Sequence, residues 1–139
     1  MRRLVVVLLL TLSLPSCTSF RGAAGADYPD SVEGKWAFRT SGSSVAPLIV
    51  ELKHRRAQAC LSGDWREARW LGPRPEGDSP VVYEHSQDGR FRLLLNADFC
   101  DVYSIYTGQI VDGSFKGEHI TLTMSGVVEH GAVFGERSE

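Results

Sequence analysis

Apolar and polar residues alternate in short runs through residues 32–139, and each run is bounded by Gly, Pro, Asn or Asp. The clearest run is 47–53, in which Leu48, Val50 and Leu52 fall on one face of an extended strand. A period of two predicts β-strands. No segment keeps a helical period long enough to predict a helix, so we expect an all-β domain over 32–139.

The turn signals recur at roughly 8–12-residue spacing, which is typical of small antiparallel β folds. We expect a lipocalin-like β-barrel of about eight to ten strands, because closure leaves no sheet edge exposed, with a two-sheet sandwich as the alternative. In the run 119–124 we expect Ile120, Leu122 and Met124 to face the interior and His119 to face solvent. Strands are predicted at 34–40, 47–53, 57–62, 65–71, 81–85, 90–95, 99–107, 119–124 and 127–136, and 109–116 carries a further hairpin signal.

Two breaks between these strands are rich in Ser, Gly and Pro. Residues 41–46 form a Ser/Gly loop, and 72–80 contain prolines that prevent regular strand pairing. Both segments are therefore expected on the surface, where loops commonly present binding contacts.

Residues 1–16 have the plan of a secretion signal, with two arginines followed by an apolar run over 4–14. The run is shorter than the roughly 20 residues that span a bilayer. The sequence Leu-Pro-Ser-Cys at 14–17 resembles the lipobox of bacterial lipoproteins. That resemblance implies cleavage before Cys17 and lipid attachment to it. A plain secretory signal is the alternative.

The residue after the cysteine is Thr18 rather than aspartate, and the lipoprotein resemblance then implies sorting to the outer membrane. We expect the domain on the periplasmic face, held to the membrane by lipid on Cys17. Residues 17–31 are small and polar and are predicted to form a flexible tether.

With Cys17 carrying lipid, Cys60 and Cys100 remain in an oxidising compartment. One intramolecular disulfide between them is the pairing that we predict. The alternative is a reactive or metal-binding cysteine, and no C-x-x-C spacing supports it.

The full chain has a net charge of −2, from 15 basic and 17 acidic residues. Removing Arg2 and Arg3 leaves 13 basic residues, so the processed chain carries 13 − 17 = −4. No basic run is longer than 54–56. We therefore expect no nucleic-acid partner.

Residues that could carry catalysis are scattered. The four histidines lack metal-ligand spacing, and no nucleophile elbow or phosphate loop is present. Asp98 and Asp101 flank Cys100, and on a strand they would point to opposite faces. We expect no enzyme, no metal and no cofactor. The histidines are His54, His85, His119 and His130.

One stretch is rich in the residue types that dominate interface hot spots. Trp65, Arg66, Arg69 and Trp70 are candidate ligand or partner contacts. In the alternative, Trp70 is a core residue, Trp65 is partly covered and the arginines face solvent. Tyr103 and Tyr106 are further candidates, as a ligand wall or as part of a barrel lining.

The tripeptide Gly34-Lys35-Trp36 resembles the G-x-W signature of lipocalins. The resemblance implies an eight-stranded up-and-down barrel whose closed end is plugged by Trp36. The chain is shorter than typical lipocalins and shows no sign of their C-terminal helix. The alternative is a buried core tryptophan at the start of a strand.

Two functions remain open. The first is a binding or inhibitory module that holds a small apolar ligand or covers an envelope protein. The chain is similar in size, export, disulfide and strand content to small periplasmic barrels that inhibit proteases or lysozymes, although it contains none of their inhibitory motifs. The second is a structural accessory lipoprotein of an envelope or secretion assembly.

Overall fold

The computed structural model of the 139-residue chain describes residues 31–74 and 77–139. The predicted signal peptide, Cys17 and all of the predicted tether except Ser31 lie outside these residues. The described part contains strands and no helix. The eight strands are β1 (Gly34–Thr40), β2 (Leu48–Arg56), β3 (Arg66–Trp70), β4 (Val81–His85), β5 (Arg90–Leu94), β6 (Val102–Val111), β7 (Ser114–Thr123) and β8 (Gly126–Arg137).

These strands form a closed antiparallel barrel in sequence order. Each strand pairs with the next one, and β8 returns to pair with β1, with Thr40 opposite Val133. The predicted barrel is confirmed, with eight strands, and the sandwich is not formed. The connections bring each strand back antiparallel beside the last, and the pairing of β8 with β1 closes the sheet.

The up-and-down order gives the barrel two distinct ends. The end that we call the base holds the start of the domain and the β4–β5 and β6–β7 turns. The other end, which we call the mouth, holds residues 41–47, 71–74, 77–80 and 95–101 and the β7–β8 turn at 124–125. Val32 is buried at the base and accepts a 2.7 Å hydrogen bond from Trp36 Nε1.

Alternation along each strand fills the interior of the barrel. Leu48, Val50 and Leu52 face inward on β2, as the period of two predicts, and Trp36 and Phe38 face inward on β1. Burial of such side chains stabilises the fold by about 1.5–3 kcal/mol each. The rest of the inner core comes from β3 to β8.

The prediction of a strand at 57–62 is wrong. Residues 57–65, which we call the strap, leave the end of β2 and run irregularly over the outside of the barrel before β3 begins. Backbone bonds hold both parts of it, from Ala57 N to Trp65 O (2.9 Å) and from Cys60 N to Ala97 O (3.0 Å). The apolar residues of the strap pack in one outer cluster with outer-face residues of four strands, which are Val82, Leu94, Ile105, Ile120 and Leu122.

The strap also explains an error in the facing of β7. His119 contacts the inward-facing Tyr106, while Ile120 and Leu122 pack in the outer cluster beneath the strap, so the predicted orientation is reversed. Met124 lies in the β7–β8 turn and is exposed. Alternation identifies two faces of a strand but not which one is interior, and here both faces are covered.

Two smaller predictions are also corrected. Strand β6 starts at Val102 rather than at residue 99, so Asp98 and Asp101 lie in the 95–101 connection and not on opposite faces of a strand. The last strand is a single one, β8, with a bulge opposite the step from His119 to Ile120.

Candidate functional site

The interior of the barrel is occupied by aromatic side chains. Phe91 lies at the centre of this cluster, with ring centroids 6.0 Å from Phe38, 6.5 Å from Trp36, 6.0 Å from Tyr83 and 5.4 Å from Phe115. All five side chains are at most 1% exposed. Tyr83 donates its hydroxyl to Lys53 O at 3.0 Å, which satisfies its one buried polar group. The middle of the barrel is therefore packed core.

A pocket of about 150 Å³ lies above this core, at the mouth. Phe38, Leu48 and Tyr106 contribute inward-facing side chains to it from three strands. Its remaining walls come from residues 43–47 of the β1–β2 loop and from Pro73 and Arg74. An apolar cavity of this volume holds one benzene-sized group. The pocket therefore fits a single apolar side chain or ring.

Exposed apolar side chains, which we call the apolar rim, lie around this pocket beside polar and charged ones such as Ser43 and Arg74. Most of the large hydrophobic side chains that are exposed on the described surface lie at the mouth, seven out of nine. Met124 is 91% exposed and Val45 is 79% exposed, so water contacts nearly all of each side chain. A grouping of apolar surface at one end of a molecule marks an interaction site more often than scattered residues do. The seven are Val45, Leu71, Phe99, Val102, Met124, Val127 and Val128.

A pair of histidines lines the inner wall near the mouth. The His119 and His130 ring centroids are 4.4 Å apart, and His119 also meets the edge of Tyr106 at 4.9 Å. His119 Nε2 hydrogen-bonds Ser104 Oγ at 2.9 Å, and His130 Nε2 hydrogen-bonds Thr121 Oγ1 at 2.8 Å. Burial, and secondly the adjacent His130 imidazole, lower the pKa of His119 to about 4. The His119 ring is therefore neutral at pH 7.

Buried hydrogen bonds fix the 95–101 connection at the rim. Asn96 donates from Nδ2 to Val102 O at 3.0 Å and accepts from Ser104 N at 2.9 Å. The Cys60–Cys100 disulfide, with Cα atoms 5.0 Å apart, joins this connection to the strap, as the cysteine count predicts. The cross-link thus ties a segment that starts at the base to the mouth.

The strap is anchored by Trp65, which is 3% exposed. Its Nε1 donates to Leu61 O at 2.6 Å, and the Arg92 guanidinium lies 4.8 Å above its ring. Arg92 in turn pairs with Glu84. Burial alone would raise the pKa of Glu84, but the Asp64 backbone N–H and Arg92 together outweigh it and lower that pKa. This group is a structural clamp for the strap.

The six ligand-contact candidates from the sequence do not form one site. Trp65, the last residue of the strap, and Tyr103 lie in the outer cluster, and Tyr103 donates its hydroxyl to Cys100 O at 2.7 Å. Arg69 is exposed and pairs with Glu51 at 3.0 Å. Their role in binding stays a prediction. The other three are Arg66, beside Tyr83 at the base end of β3, Trp70, packed on the inner core, and Tyr106, which lines the mouth pocket.

The two loops predicted to present contacts do meet at the mouth, where both line the pocket. The rim residues of the β7–β8 hairpin are the part that the sequence analysis missed. Val127 and Val128 look like an ordinary strand start in sequence. The register of strand pairing shows that β8 extends past the end of β1, and a short window of sequence does not reveal this.

Two further depressions lie on the outer faces of β4 to β8, with volumes of about 560 and 480 Å³. They are larger than the mouth pocket, but Thr107 and Glu118 border both, and three of the charged side chains there, Glu84, Arg90 and Arg92, are held in ion pairs. Glu84 pairs with Arg92, and Arg90 pairs with Asp88 at 2.7 Å. The smaller mouth pocket, with its apolar floor and rim, is the better candidate site.

No protein-family model matches the chain, and neither a curated protein nor a solved structure does. Residues 31–74 and 77–139 contain no helix that is long and apolar enough to cross a membrane. The same residues contain no cluster of three or more His, Cys, Asp or Glu side chains that could hold a metal ion. The mouth is therefore the feature of the described residues that points to a function.

Proposed function

We propose that this chain is a non-enzymatic binding module that docks on a partner protein of the cell envelope through its mouth. In this proposal an apolar side chain of the partner enters the pocket, and the exposed valines and Met124 cover the surrounding surface. A lipid on Cys17 and the tether 17–31 hold the module at the periplasmic face of the outer membrane.

The observation that carries the proposal is the combination of a small pocket with an apolar rim. A pocket of about 150 Å³ is too small for a typical drug-sized ligand, whose sites measure about 300–1,000 Å³. Exposed apolar surface at one end of the barrel instead has the character of an interface core, which a partner protein would remove from water. The small-ligand form of the binding hypothesis is therefore the weaker one.

The point at which the chain enters the barrel also supports docking through the mouth. The tether enters the domain at Ser31 and Val32, beside the base, whereas the apolar rim is at the opposite end. Fifteen residues of tether reach about 50 Å when fully extended. A module anchored in this way would direct its mouth away from its own membrane and toward other envelope proteins.

The alternative, a structural accessory lipoprotein of an envelope assembly, gains support from the same filled core and exposed rim. The two proposals differ in what the partner does once it is bound. An inhibitory module would reduce the activity of an enzyme, whereas an accessory lipoprotein would be needed for an assembly to form.

The test is an affinity purification of the full chain from membranes of the cells that make it. Wild type is compared with a mouth variant, Val45→Asp plus Val128→Asp, and with the surface control Val111→Asp. We expect an envelope protein to co-purify with wild type and the control and to be lost with the mouth variant. Equal recovery with the mouth variant, or no envelope protein at all, would count against the proposal. Native mass spectrometry of the same wild-type sample reports any retained small molecule.

A further inference from the structure

Strand β8 is longer than the neighbour that closes the barrel. Its pairs with β1 end at Val133, and a last backbone bond joins Ser41 N to Ala132 O at 2.7 Å. Its pairs with β7 continue to Gly126. Within the described part of the chain, the edge of β8 over residues 126–131 that faces away from β7 has no strand partner.

The missing partner results from the path of the β1–β2 loop. At Thr40 and Ser41 the chain turns, with Ser43 N bonded to Thr40 O at 3.3 Å, and it then crosses the mouth toward β2. The loop lines the pocket instead of continuing along β8. Beside β8 at residues 126–131, an open position for one extended strand therefore starts where β1 leaves the sheet. We call this position the track.

The register shows which backbone groups face this track. Thr123 and Gly126 flank a two-residue turn, so they form a hydrogen-bonded pair, and such pairs alternate along an antiparallel ladder. Val127, opposite Leu122, and Glu129 are then in non-hydrogen-bonded pairs with β7. Their N–H and C=O groups point toward the open edge.

This edge is accessible and carries few of the usual protective devices. Every residue from Gly126 to Ala132 is exposed, and the segment contains no proline or lysine. Natural proteins normally shield such edges, because unpaired N–H and C=O groups are a template for another strand. The single bulge, at His130, lies at the inner end of the segment and leaves Val127 and Glu129 free to pair.

We propose that the β8 edge at residues 126–131 binds an extended segment of a partner protein as an added antiparallel strand, which carries an apolar side chain into the mouth pocket. The added strand continues the track of β1, so the existing β1–β8 ladder already defines its direction and its distance from β8. Its backbone supplies the hydrogen bonds, and alternate side chains supply specificity, as in other cases of strand addition. This inference rests on the proposed function, because it states how the same mouth holds its partner.

A second copy of this chain fits the track less well. Two copies could pair their β8 edges in antiparallel fashion about a two-fold axis. The Met124–Ser125 turn of one copy would then fall where Ser41 of the other copy already bonds Ala132 O. A peptide segment has no such turn, so it can end or leave the sheet before it reaches Ser41. The occupant is therefore an extended segment of a different protein.

The experiment uses the full chain and a phage-displayed library of random 12-residue peptides. Peptides enriched on wild type are synthesised, and their affinities are measured by fluorescence polarisation. Glu129→Pro removes one edge N–H but no β7 ladder bond, and proline is tolerated on edge strands. Glu129→Ala keeps that N–H and is the matched control. Val127→Pro and Val127→Ala form a second pair, in case one proline variant does not fold.

We expect enriched peptides to alternate apolar and polar residues. They should bind the proline variants at least about tenfold more weakly than wild type, because a strand carbonyl loses its donor. Glu129→Ala should stay within about twofold of wild type. Val127→Ala trims a rim side chain but keeps the edge N–H, so it should bind at least about tenfold more tightly than Val127→Pro. In wild type, amide hydrogen exchange of Val127 and Glu129 should slow when peptide is added.

Three outcomes would overturn the strand-addition inference. The first is the absence of any enriched peptide. The second is unchanged affinity for folded proline variants; if Val45→Asp still abolishes binding, the mouth proposal stands and only the edge is wrong. The third is protection of the edge amides without peptide together with a dimer in sedimentation, which would assign the edge to a second copy.

Discussion

Removal of the Cys60–Cys100 disulfide should destabilise the domain strongly. The bond closes a loop with a sequence separation of 40 residues and ties the strap to the 95–101 connection. Both cysteines are exposed, so a reductant can reach the bond in the folded protein. Dithiothreitol, or the double variant Cys60→Ser plus Cys100→Ser, supplies the perturbation.

The magnitude follows from loop closure. Cross-linking a loop of this length lowers the entropy of the unfolded chain by an amount worth about 4 kcal/mol at 25 °C. With a urea dependence of about 1–3 kcal/mol per molar for a domain of this size, the unfolding midpoint should fall by roughly 1.3 to 4 M. Without the disulfide, Trp65 still packs in the outer cluster, so the attachment of the strap to the barrel is weakened but not lost.

The assay is urea unfolding followed by tryptophan fluorescence, with and without dithiothreitol. The double serine variant serves as the control, since dithiothreitol should leave its midpoint unchanged. Intact mass before and after reduction establishes that the bond is present. A fall in the free energy of unfolding of less than about 1 kcal/mol, with the bond shown to be present, would refute the idea that the cross-linked strap stabilises the barrel.

Three other predictions concern the packing and the histidine pair. Trp65→Ala should cost about 3–5 kcal/mol in the free energy of unfolding, measured by urea, because the anchor of the strap is lost. Gly117→Ala should cost roughly 1–3 kcal/mol or more, since a Cβ there would overlap the Thr107 carbonyl oxygen, whereas Gly72→Ala has room and should change stability by less than about 0.5 kcal/mol. The pKa of His119 falls from 6.5 unfolded to about 4 folded, so the unfolded chain binds more protons between these values. Stability should therefore fall as pH drops from about 6.5 to 4, and His119→Gln should flatten that dependence in thermal unfolding; an unchanged pH dependence would contradict the lowered pKa.

The sequence predicts the barrel well because its inner face obeys simple alternation. On β2 the alternate residues Leu48, Val50 and Leu52 must face the interior, since Glu51 and Lys53 on the other face are polar. The disulfide was predictable because the expected lipidation of Cys17 leaves Cys60 and Cys100 as the one possible pair. The strand pattern is local, whereas the disulfide prediction also depends on the resemblance of residues 14–17 to a lipobox.

The outer cluster is what the sequence could not reveal. Ile120 and Leu122 pack against the outer cluster to which the strap contributes, and no local signal distinguishes this from burial inside the barrel. The same tertiary contact keeps residues 57–65 out of the sheet. Packing of the strap in the outer cluster therefore accounts for both errors, the reversed facing of β7 and the predicted strand at 57–62 that does not form.

The candidate site was predicted in part. The loops 41–46 and 72–80 were recognisable as surface loops, and both line the mouth pocket. The apolar rim of Met124, Val127 and Val128 depends on β8 extending past β1, which is a property of strand register. Register is set by contacts between distant residues and is not visible in a short window of sequence.

Site-specific photocrosslinking in living cells tests the central claim that the mouth binds a partner protein. A photoreactive benzoylphenylalanine replaces Val45 or Met124 at the mouth, or Val111 or Phe134 elsewhere, and all four positions are about half exposed or more, at 79%, 91%, 58% and 49%. We predict a discrete adduct of the same mass from both mouth positions and none from the two controls. No adduct from the mouth positions, or equal adducts from all four, would contradict the account.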